Sequence, residues 1–138
     1  MRARRPEVLF LCVHNAGRSQ MAAALLARHG GDRVVIHSAG STPGEALNPA
    51  VVAVLAEWDI DITAEVPKKL TDEMAQDADV IVTMGCGDTC PVYPGKTYRD
   101  WELSDPAGKS IDEVRLIRDE IDHRVRDLLR DLTTDTSP

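Results

Sequence analysis

Residues 8–19 of the chain read VLFLCVHNAGRS, and this stretch decides both the fold and the site. The apolar run 8–11 is typical of a β-strand that is covered on both faces of a parallel sheet. Cys12 ends that strand, a five-residue loop follows, and Arg18 stands at the start of a helical pattern that ends before Gly30 and Gly31. We expect Ser19 to be the N-cap of this helix.

A loop of this kind is suited to binding a tetrahedral oxyanion. Loop N–H groups and the free N–H groups of a helix's first turn form a cradle for negative charge. Arg18 adds a planar, permanently charged fork, and a positive field there favours the thiolate form of Cys12, a nucleophile. A lone cysteine after an apolar strand is more often a core residue, but here it occurs together with an arginine and turn-forming residues. The candidate oxyanion-binding residues are Val13, His14, Asn15, Ala16, Gly17, Arg18 and Ser19. A P-loop for nucleoside triphosphates is not indicated, because its lysine and glycine spacing are missing.

Length and charge limit the classes of function. The 138 residues fit one domain, 1–138, with a basic arm at 1–6 and a tail at 133–138 that we expect to be flexible. The net charge of −7 disfavours binding to nucleic acid or to anionic membranes. No apolar run approaches the roughly 20 residues of a membrane span, and no signal peptide is evident, so we expect a cytoplasmic monomer.

The remaining elements alternate between strands and helices. Apolar strands are predicted at 34–36 and 80–84, and a more polar edge strand at 97–101, with a small-residue turn at 38–40 after the second strand. Helices are predicted after the N-caps Asn48 and Thr71, and the longest one after the capping box of Ser110 and Glu113. This order predicts an α/β fold in which an open parallel sheet has helices on both faces.

In such folds the ligand site lies beyond the carboxyl ends of the strands. We therefore expect three loops to meet there, carrying Cys12 and Arg18, then Cys86 and Cys90, and finally Asp105. Asp105 can act as a general acid, although an Asp-Pro pair is also a common turn opener. A close cysteine pair in a chain with three cysteines indicates metal binding or thiol chemistry rather than a structural disulfide framework.

Several motifs together resemble a known family. The Cys-x5-Arg-Ser pattern and the later Asp105-Pro106 are similar to the low-molecular-weight protein tyrosine phosphatase superfamily. The segments CVHNAGRSQMA (12–22), SAG (38–40), VTMGC (82–86) and DWELSDPAG (100–108) resemble more narrowly the arsenate reductases of that superfamily. The resemblance covers roughly residues 7–132 and implies a four-stranded parallel sheet.

The resemblance also implies a catalytic cycle of three thiols and no cofactor. Cys12 would attack arsenate while Asp105 helps water to leave, Cys86 would release arsenite by attacking Cys12, and Cys90 would move the disulfide to the surface for reduction by thioredoxin. Some members bind potassium through an acidic residue on the first helix. Ala23 occupies that position here, so we expect no metal site.

Two other readings stay open. One is a phosphatase that uses Cys12, Arg18 and Asp105 alone, for which phosphate or sulfate would be arsenate mimics. The other is a metal- or metalloid-binding module built from the three cysteines and His14. Mycothiol or glutathione could replace thioredoxin as reductant if Cys12 acts without the other two thiols.

Overall fold

The computed structural model describes residues 5–85 and 95–134. Its strands are β1 (Glu7–Cys12), β2 (Val35–Gly40), β3 (Val80–Thr83) and β4 (Thr97–Asp100). Its helices are α1 (Arg18–Gly30), α2 (Pro49–Ala56), α3 (Asp72–Asp77) and α4 (Ile111–Thr134), and a single 3-10 turn, Gly31–Arg33, follows α1. The predicted N-caps Asn48 and Thr71 accept hydrogen bonds from the backbone of Ala50 and Met74.

The four strands form one parallel sheet in the order β2-β1-β3-β4. β2 lies on one side of β1, and β3 and β4 lie on the other side. The strand order therefore changes direction at β1. A crevice at the carboxyl end of that strand is where ligands bind in open sheets. The predicted fold class is confirmed, and the loop after Cys12 lies at this switch point.

Side chains alternate between two core layers. Val8, Phe10 and Cys12 face the larger layer, which α1, α2 and α4 cover, and Leu9 and Leu11 face a smaller layer under α3. Helices therefore cover both faces, as the continuous apolar sequence of β1 predicts. The rings of Phe10 and Trp101 lie 5.8 Å apart in the larger layer and tie β1 to the chain that follows β4.

Three local predictions need correction. The second strand does not end before Ser38: β2 continues to Gly40, pairing residue by residue with β1 up to Cys12. The first helix begins at Arg18 with Gly17 as its N-cap, so Ser19 is not the cap. Helix α4 continues through Thr133 and Thr134, which the sequence placed in the tail.

The capping box of the last helix is confirmed. The backbone N–H of Ser110 donates to Glu113 Oε1 at 3.1 Å, and the backbone N–H of Glu113 donates to Ser110 Oγ at 3.2 Å. These bonds hold the pKa of Glu113 below its usual value. Within 5–85 and 95–134, no helix combines the length and apolarity that crossing a bilayer requires.

Candidate active site

Hydrogen bonds to the carbonyl groups of the loop after β1 hold that loop in shape. Its carbonyl oxygens accept backbone N–H groups from the segment that follows β2: Ser41 to Cys12 (3.2 Å), Thr42 to Val13 (2.8 Å), Gly44 to His14 (2.9 Å) and Asn48 to Ala16 (2.9 Å). The carbonyl of Asn15 accepts from Gln20 Nε2 at 3.2 Å, and that of Gly17 from the N–H of Met21 at 2.9 Å. We call residues 41–48 the carbonyl clamp.

The carbonyl clamp has a direct electrostatic consequence. A trans peptide unit points its C=O and the following N–H in opposite directions. When each carbonyl is drawn away from the loop axis, the adjoining N–H turns toward it. The loop thereby presents backbone donors to its centre, which is the arrangement that binds anions.

Asn15 fixes the tightest bend of the loop. Its backbone is left-handed, with φ of 51°, and its side chain is buried. Nδ2 donates to Ser19 Oγ at 2.7 Å, while Oδ1 accepts from the Lys68 N–H at 2.8 Å and from Gln20 Nε2 at 3.1 Å. Asparagine tolerates this backbone better than most residues, and here three side-chain hydrogen bonds hold it in place.

The Cys12 thiol lies buried under this loop. Its Sγ is 2.8 Å from Ser19 Oγ and accepts the backbone N–H of Asn15 at 3.3 Å. Ser19 Oγ also accepts from Asn15 Nδ2, which leaves its proton free to donate to the sulfur. The Ser19 hydroxyl and the Asn15 N–H thus both face Sγ. Because the Ser19 hydroxyl bonds to Cys12 Sγ and Asn15 Nδ2, it does not cap α1.

Arg18 connects the three loops that the sequence predicted to meet. Its side chain is 9% exposed, Nη1 donates to the Leu103 carbonyl at 3.2 Å, and Nη2 lies 3.7 Å from Asp105 Oδ2. A Cβ built on Gly85 would lie 2.1 Å from Nη1, so the chain after β3 runs directly against the guanidinium. The loops after β1, β3 and β4 therefore converge at the end of the sheet.

A cavity of about 60 Å³ opens above the thiol. Its walls are formed by the loop, by Asn48 of the carbonyl clamp and by the turn after β4: Cys12, His14, Ala16, Gly17, Arg18, Asn48, Asp105, Pro106 and Ala107. Its size suits a small ion rather than a drug-sized ligand, which needs roughly 300–1,000 Å³. A Cβ on Gly17 would lie 2.7 Å from Pro106 Cγ, so the loop and the turn pack in close contact.

Asp105 lies at the mouth of this cavity. Its side chain is 52% exposed, and Oδ1 accepts the N–H of Ala107 at 3.0 Å. The Asp-Pro turn that the sequence offered as an alternative is therefore present, and it also brings the carboxylate to the cavity. The two observations are compatible.

The predicted site residues stand as follows. Cys12, Arg18 and Asp105 line the cavity together with His14, Ala16 and Gly17 of the loop. Val13, Asn15 and Ser19 of the same loop are not part of its lining. Cys86 and Cys90 lie outside the described residues. In the ranges 5–85 and 95–134, no group of three or more His, Cys, Asp or Glu side chains could hold a metal ion.

A larger cavity of about 390 Å³ lies between α1 and β2. Its lining includes three alanines of α1, together with Ser38 and Lys68, and the described residues that form it include neither a thiol nor an arginine. Size alone would favour it, but the nucleophile and the oxyanion-binding groups are in the smaller one.

Three contributors escaped sequence reasoning. Gln20 Nε2 contacts Asn15 and the Val66 carbonyl. Gly40 supports the loop from β2, since a Cβ there would lie 2.6 Å from the Val13 carbonyl oxygen. Gly85 packs against Arg18. The Ser-Ala-Gly run at 38–40 was the available signal for Gly40, because a glycine at a strand end often marks close backbone approach.

The strand order, the backbone-lined loop and the buried thiol beside an arginine define an enzyme of the thiol-dependent, oxyanion-binding class. The match to the family model of the low molecular weight phosphotyrosine protein phosphatase spans residues 7–137. The chain belongs to this family, as its motifs predicted.

Within this family, the chain is similar to several arsenate reductases. It is 35% identical over 131 residues to a putative arsenate reductase of Halobacterium salinarum, covering 91% of this chain and 92% of the relative. The thioredoxin-dependent arsenate reductase of Corynebacterium glutamicum superposes with a TM-score of 0.82 at 44% identity, covering 97% of this chain. This chain spans only 64% of that longer one.

A phosphatase is structurally as similar. The YwlE arginine phosphatase from Geobacillus stearothermophilus superposes with a TM-score of 0.82 at 27% identity, and 94% of each chain is covered. Fold similarity alone therefore does not separate reductase from phosphatase.

Proposed function

We propose that this enzyme reduces arsenate to arsenite, with Cys12 as the nucleophile. The observation that carries the proposal is the joint placement of Cys12, Arg18 and Asp105 around one small cavity, at a loop whose carbonyl groups are hydrogen-bonded to the segment after β2. Similarity to arsenate reductases at 35% and 44% identity supports arsenate as the substrate.

The first step follows from the geometry of these three groups. The Cys12 thiolate attacks arsenic and forms a sulfur–arsenic bond, while the loop N–H groups and Arg18 stabilise charge on the remaining oxygens. One arsenic–oxygen bond breaks, and Asp105 gives its proton to the departing oxygen, which leaves as water. Arsenic stays in its +5 state in this step.

The reduction requires two further thiols. The Cys86 thiolate attacks Cys12 Sγ, a disulfide forms, and the electron pair of the sulfur–arsenic bond goes to arsenic, which leaves as arsenite. Cys90 then attacks Cys86, which frees Cys12 and leaves a Cys86–Cys90 disulfide. Thioredoxin, a dithiol, reduces that disulfide by exchange. The contact of Gly85 with Arg18 supports this sequence, because it brings the residue directly before Cys86 to the oxyanion-binding arginine.

The second candidate is a phosphatase, which the similarity to YwlE favours. Cys12, Arg18 and Asp105 would then form and hydrolyse a phosphocysteine, and neither Cys86 nor Cys90 would take part. The two proposals share the oxyanion site and differ in the need for the cysteine pair.

The deciding experiment compares wild type with Cys86→Ser and Cys90→Ser. Arsenite release is measured with a thioredoxin system, and phosphate release is measured from p-nitrophenyl phosphate and from phosphoarginine. We expect continuous arsenite release only from wild type, none from Cys86→Ser, and no more than one equivalent from Cys90→Ser. Phosphate release, if present, should survive both substitutions.

The outcomes separate the candidates. Continuous arsenite release by Cys90→Ser would exclude the three-thiol sequence and indicate that thioredoxin reduces the Cys12–Cys86 disulfide directly. Efficient phosphoester hydrolysis with no arsenate-dependent oxidation of thioredoxin would exclude the reductase and leave the phosphatase. Cys12→Ser should abolish both reactions.

A further inference from the structure

Gly85 is in closer contact with the Arg18 guanidinium than a side chain would allow. A Cβ at residue 85 would lie 2.1 Å from Nη1, 3.0 Å from Cζ and 3.4 Å from Nη2. Distances below about 3.0 Å between such atoms require one group to move. The guanidinium therefore occupies space that only a glycine leaves free.

The arginine cannot easily move away from this contact. Nη1 also donates to the Leu103 carbonyl at 3.2 Å, Nη2 faces Asp105 at 3.7 Å, and the side chain is 9% exposed. Backbone at residue 85, a carbonyl after β4 and a carboxylate thus contact the guanidinium. Displacement from Gly85 would break the bond to Leu103 and change the position of the guanidinium at the cavity.

We propose that Gly85 is a positioning residue for oxyanion binding, which acts by setting the orientation of Arg18. The proposal rests on the proposed function only in taking Arg18 as a ligand of the oxyanion. It adds that substrate affinity depends on backbone at the residue directly before Cys86. The anion site and the end of the chain that follows β3 are therefore coupled through one van der Waals contact, between Gly85 and Arg18.

The test is Gly85→Ala, with the affinity for inorganic phosphate measured by titration calorimetry. We expect phosphate affinity to fall about ten- to a hundredfold, the range for losing charge-assisted hydrogen bonds. Because Gly85 has a φ of 82°, alanine also strains the backbone there. Gly95→Ala is the matched control: its φ is 80°, and nothing in the described part of the chain lies within 4 Å of its added Cβ. We expect less than a twofold change for the control.

A double-mutant cycle shows whether Gly85 acts through Arg18. Lysine at position 18 keeps the charge but lacks Nη1 and Nη2, so Gly85→Ala should weaken phosphate binding far less in an Arg18→Lys background than in wild type. If Gly85→Ala alone does not fold, the double variant decides. If the double variant folds, the result supports a clash between the Cβ at residue 85 and the Arg18 guanidinium. If the double variant also fails to fold, the proposal is overturned.

Other outcomes also overturn it. The proposal is wrong if Gly85→Ala binds phosphate with wild-type affinity. It is also wrong if Gly85→Ala lowers phosphate affinity equally in the wild-type and Arg18→Lys backgrounds, or if the wild-type protein does not bind phosphate. Phosphate binding requires neither arsenate turnover nor the cysteine pair. A protein that binds phosphate but does not reduce arsenate would therefore exclude the proposed reductase and leave the role of Gly85 intact.

Discussion

Cys12 Sγ and Ser19 Oγ lie 2.8 Å apart, across the loop that joins β1 to α1. The hydroxyl oxygen accepts from Asn15 Nδ2, so its proton is available to the sulfur. A single hydrogen bond thus connects the reactive atom, the first turn of α1 and the left-handed residue of the loop.

Ser19→Ala should slow the reaction of Cys12 with iodoacetate at neutral pH about tenfold. The substitution removes one of the two donors that face Sγ, and a hydrogen bond to a charged group contributes about 1.5–3 kcal/mol. Carboxymethylation of Cys12 is followed by peptide mapping, which separates it from the other cysteines.

Ser41→Ala is the control for this substitution. Among the described residues, Ser41 Oγ is the one buried side-chain polar atom without a hydrogen-bond partner, so its removal should leave the Cys12 rate unchanged and should not destabilise the fold. Equal rates in Ser19→Ala and wild type would show that the hydroxyl does not stabilise the thiolate.

Gly40→Ala should disrupt the oxyanion loop. The added Cβ would lie 2.6 Å from the Val13 carbonyl oxygen and 3.0 Å from the Asn15 nitrogen, both of them backbone atoms that cannot rotate away. We expect at least a tenfold loss of phosphate affinity and a stability loss of about 1–3 kcal/mol, typical of overpacking. Calorimetry and urea unfolding measure the two effects.

Gly44→Ala is the matched control for Gly40→Ala, since its Cβ would have no contact shorter than 3.8 Å and the N–H that bonds to His14 is kept. Phosphate affinity should be retained. An undisturbed Gly40→Ala variant would contradict the support of the loop by β2.

Gln20→Ala should destabilise the fold and weaken phosphate binding without touching the anion. Gln20 is 2% exposed, and its Nε2 donates hydrogen bonds to two oxygens of Asn15 and to the Val66 carbonyl. Leaving these acceptors unsatisfied costs about 1–3 kcal/mol. The exposed Gln76 in α3 provides the comparison, and Gln76→Ala should change neither stability nor affinity. Equal behaviour of the two variants would refute a positioning role for Gln20.

Glu57→Gln should lower stability at neutral pH but not near pH 2. The hydrogen bonds from Arg115 and Arg118 lower the pKa of Glu57 from 4.5 to about 2. A depressed carboxyl pKa stabilises the fold above pH 4.5, and this contribution is lost as the pH falls through about 2. The gap between wild-type and Glu57→Gln urea midpoints should therefore be constant above pH 5 and close as the pH falls towards 2.

The exposed Glu45 supplies the control for this pH series, because Glu45→Gln should give no comparable gap in urea midpoint at neutral pH. A gap for Glu57→Gln that stayed constant down to pH 2 would show that its ionisation is not the cause. The Arg118 guanidinium, 3.9 Å above the Trp58 ring centroid, would then be the stabilising contact to examine.

The sequence predicted the sheet and the place of the site because β1 and α4 have strong patterns. Val8, Leu9 and Phe10 can only be a strand buried on both faces, and the capping box at Ser110 fixed the start of α4. Strands in a parallel sheet share one carboxyl edge, so the meeting of the first and last loops followed from topology.

Tertiary contacts decided the details that the sequence did not predict. Ser19 has the composition of an N-cap, but a thiol seven residues earlier competes for its hydroxyl. The Ser-Ala-Gly run looked like a turn because small residues favour turns, yet here small side chains allow β2 to pass under the loop. No local pattern distinguishes these cases, since the partner in each is distant in sequence or belongs to another element.

The carbonyl clamp has a consequence for how the family can diversify. Main-chain N–H groups of residues 41, 42, 44 and 48 hold the oxyanion loop, and any residue but proline supplies such a group. Side chains at 41, 42 and 44 can therefore vary while the geometry above the sulfur persists, whereas Asn48 also caps α2 and lines the cavity. Enzymes with different chemistries can inherit one preorganised anion receptor and alter only its rim.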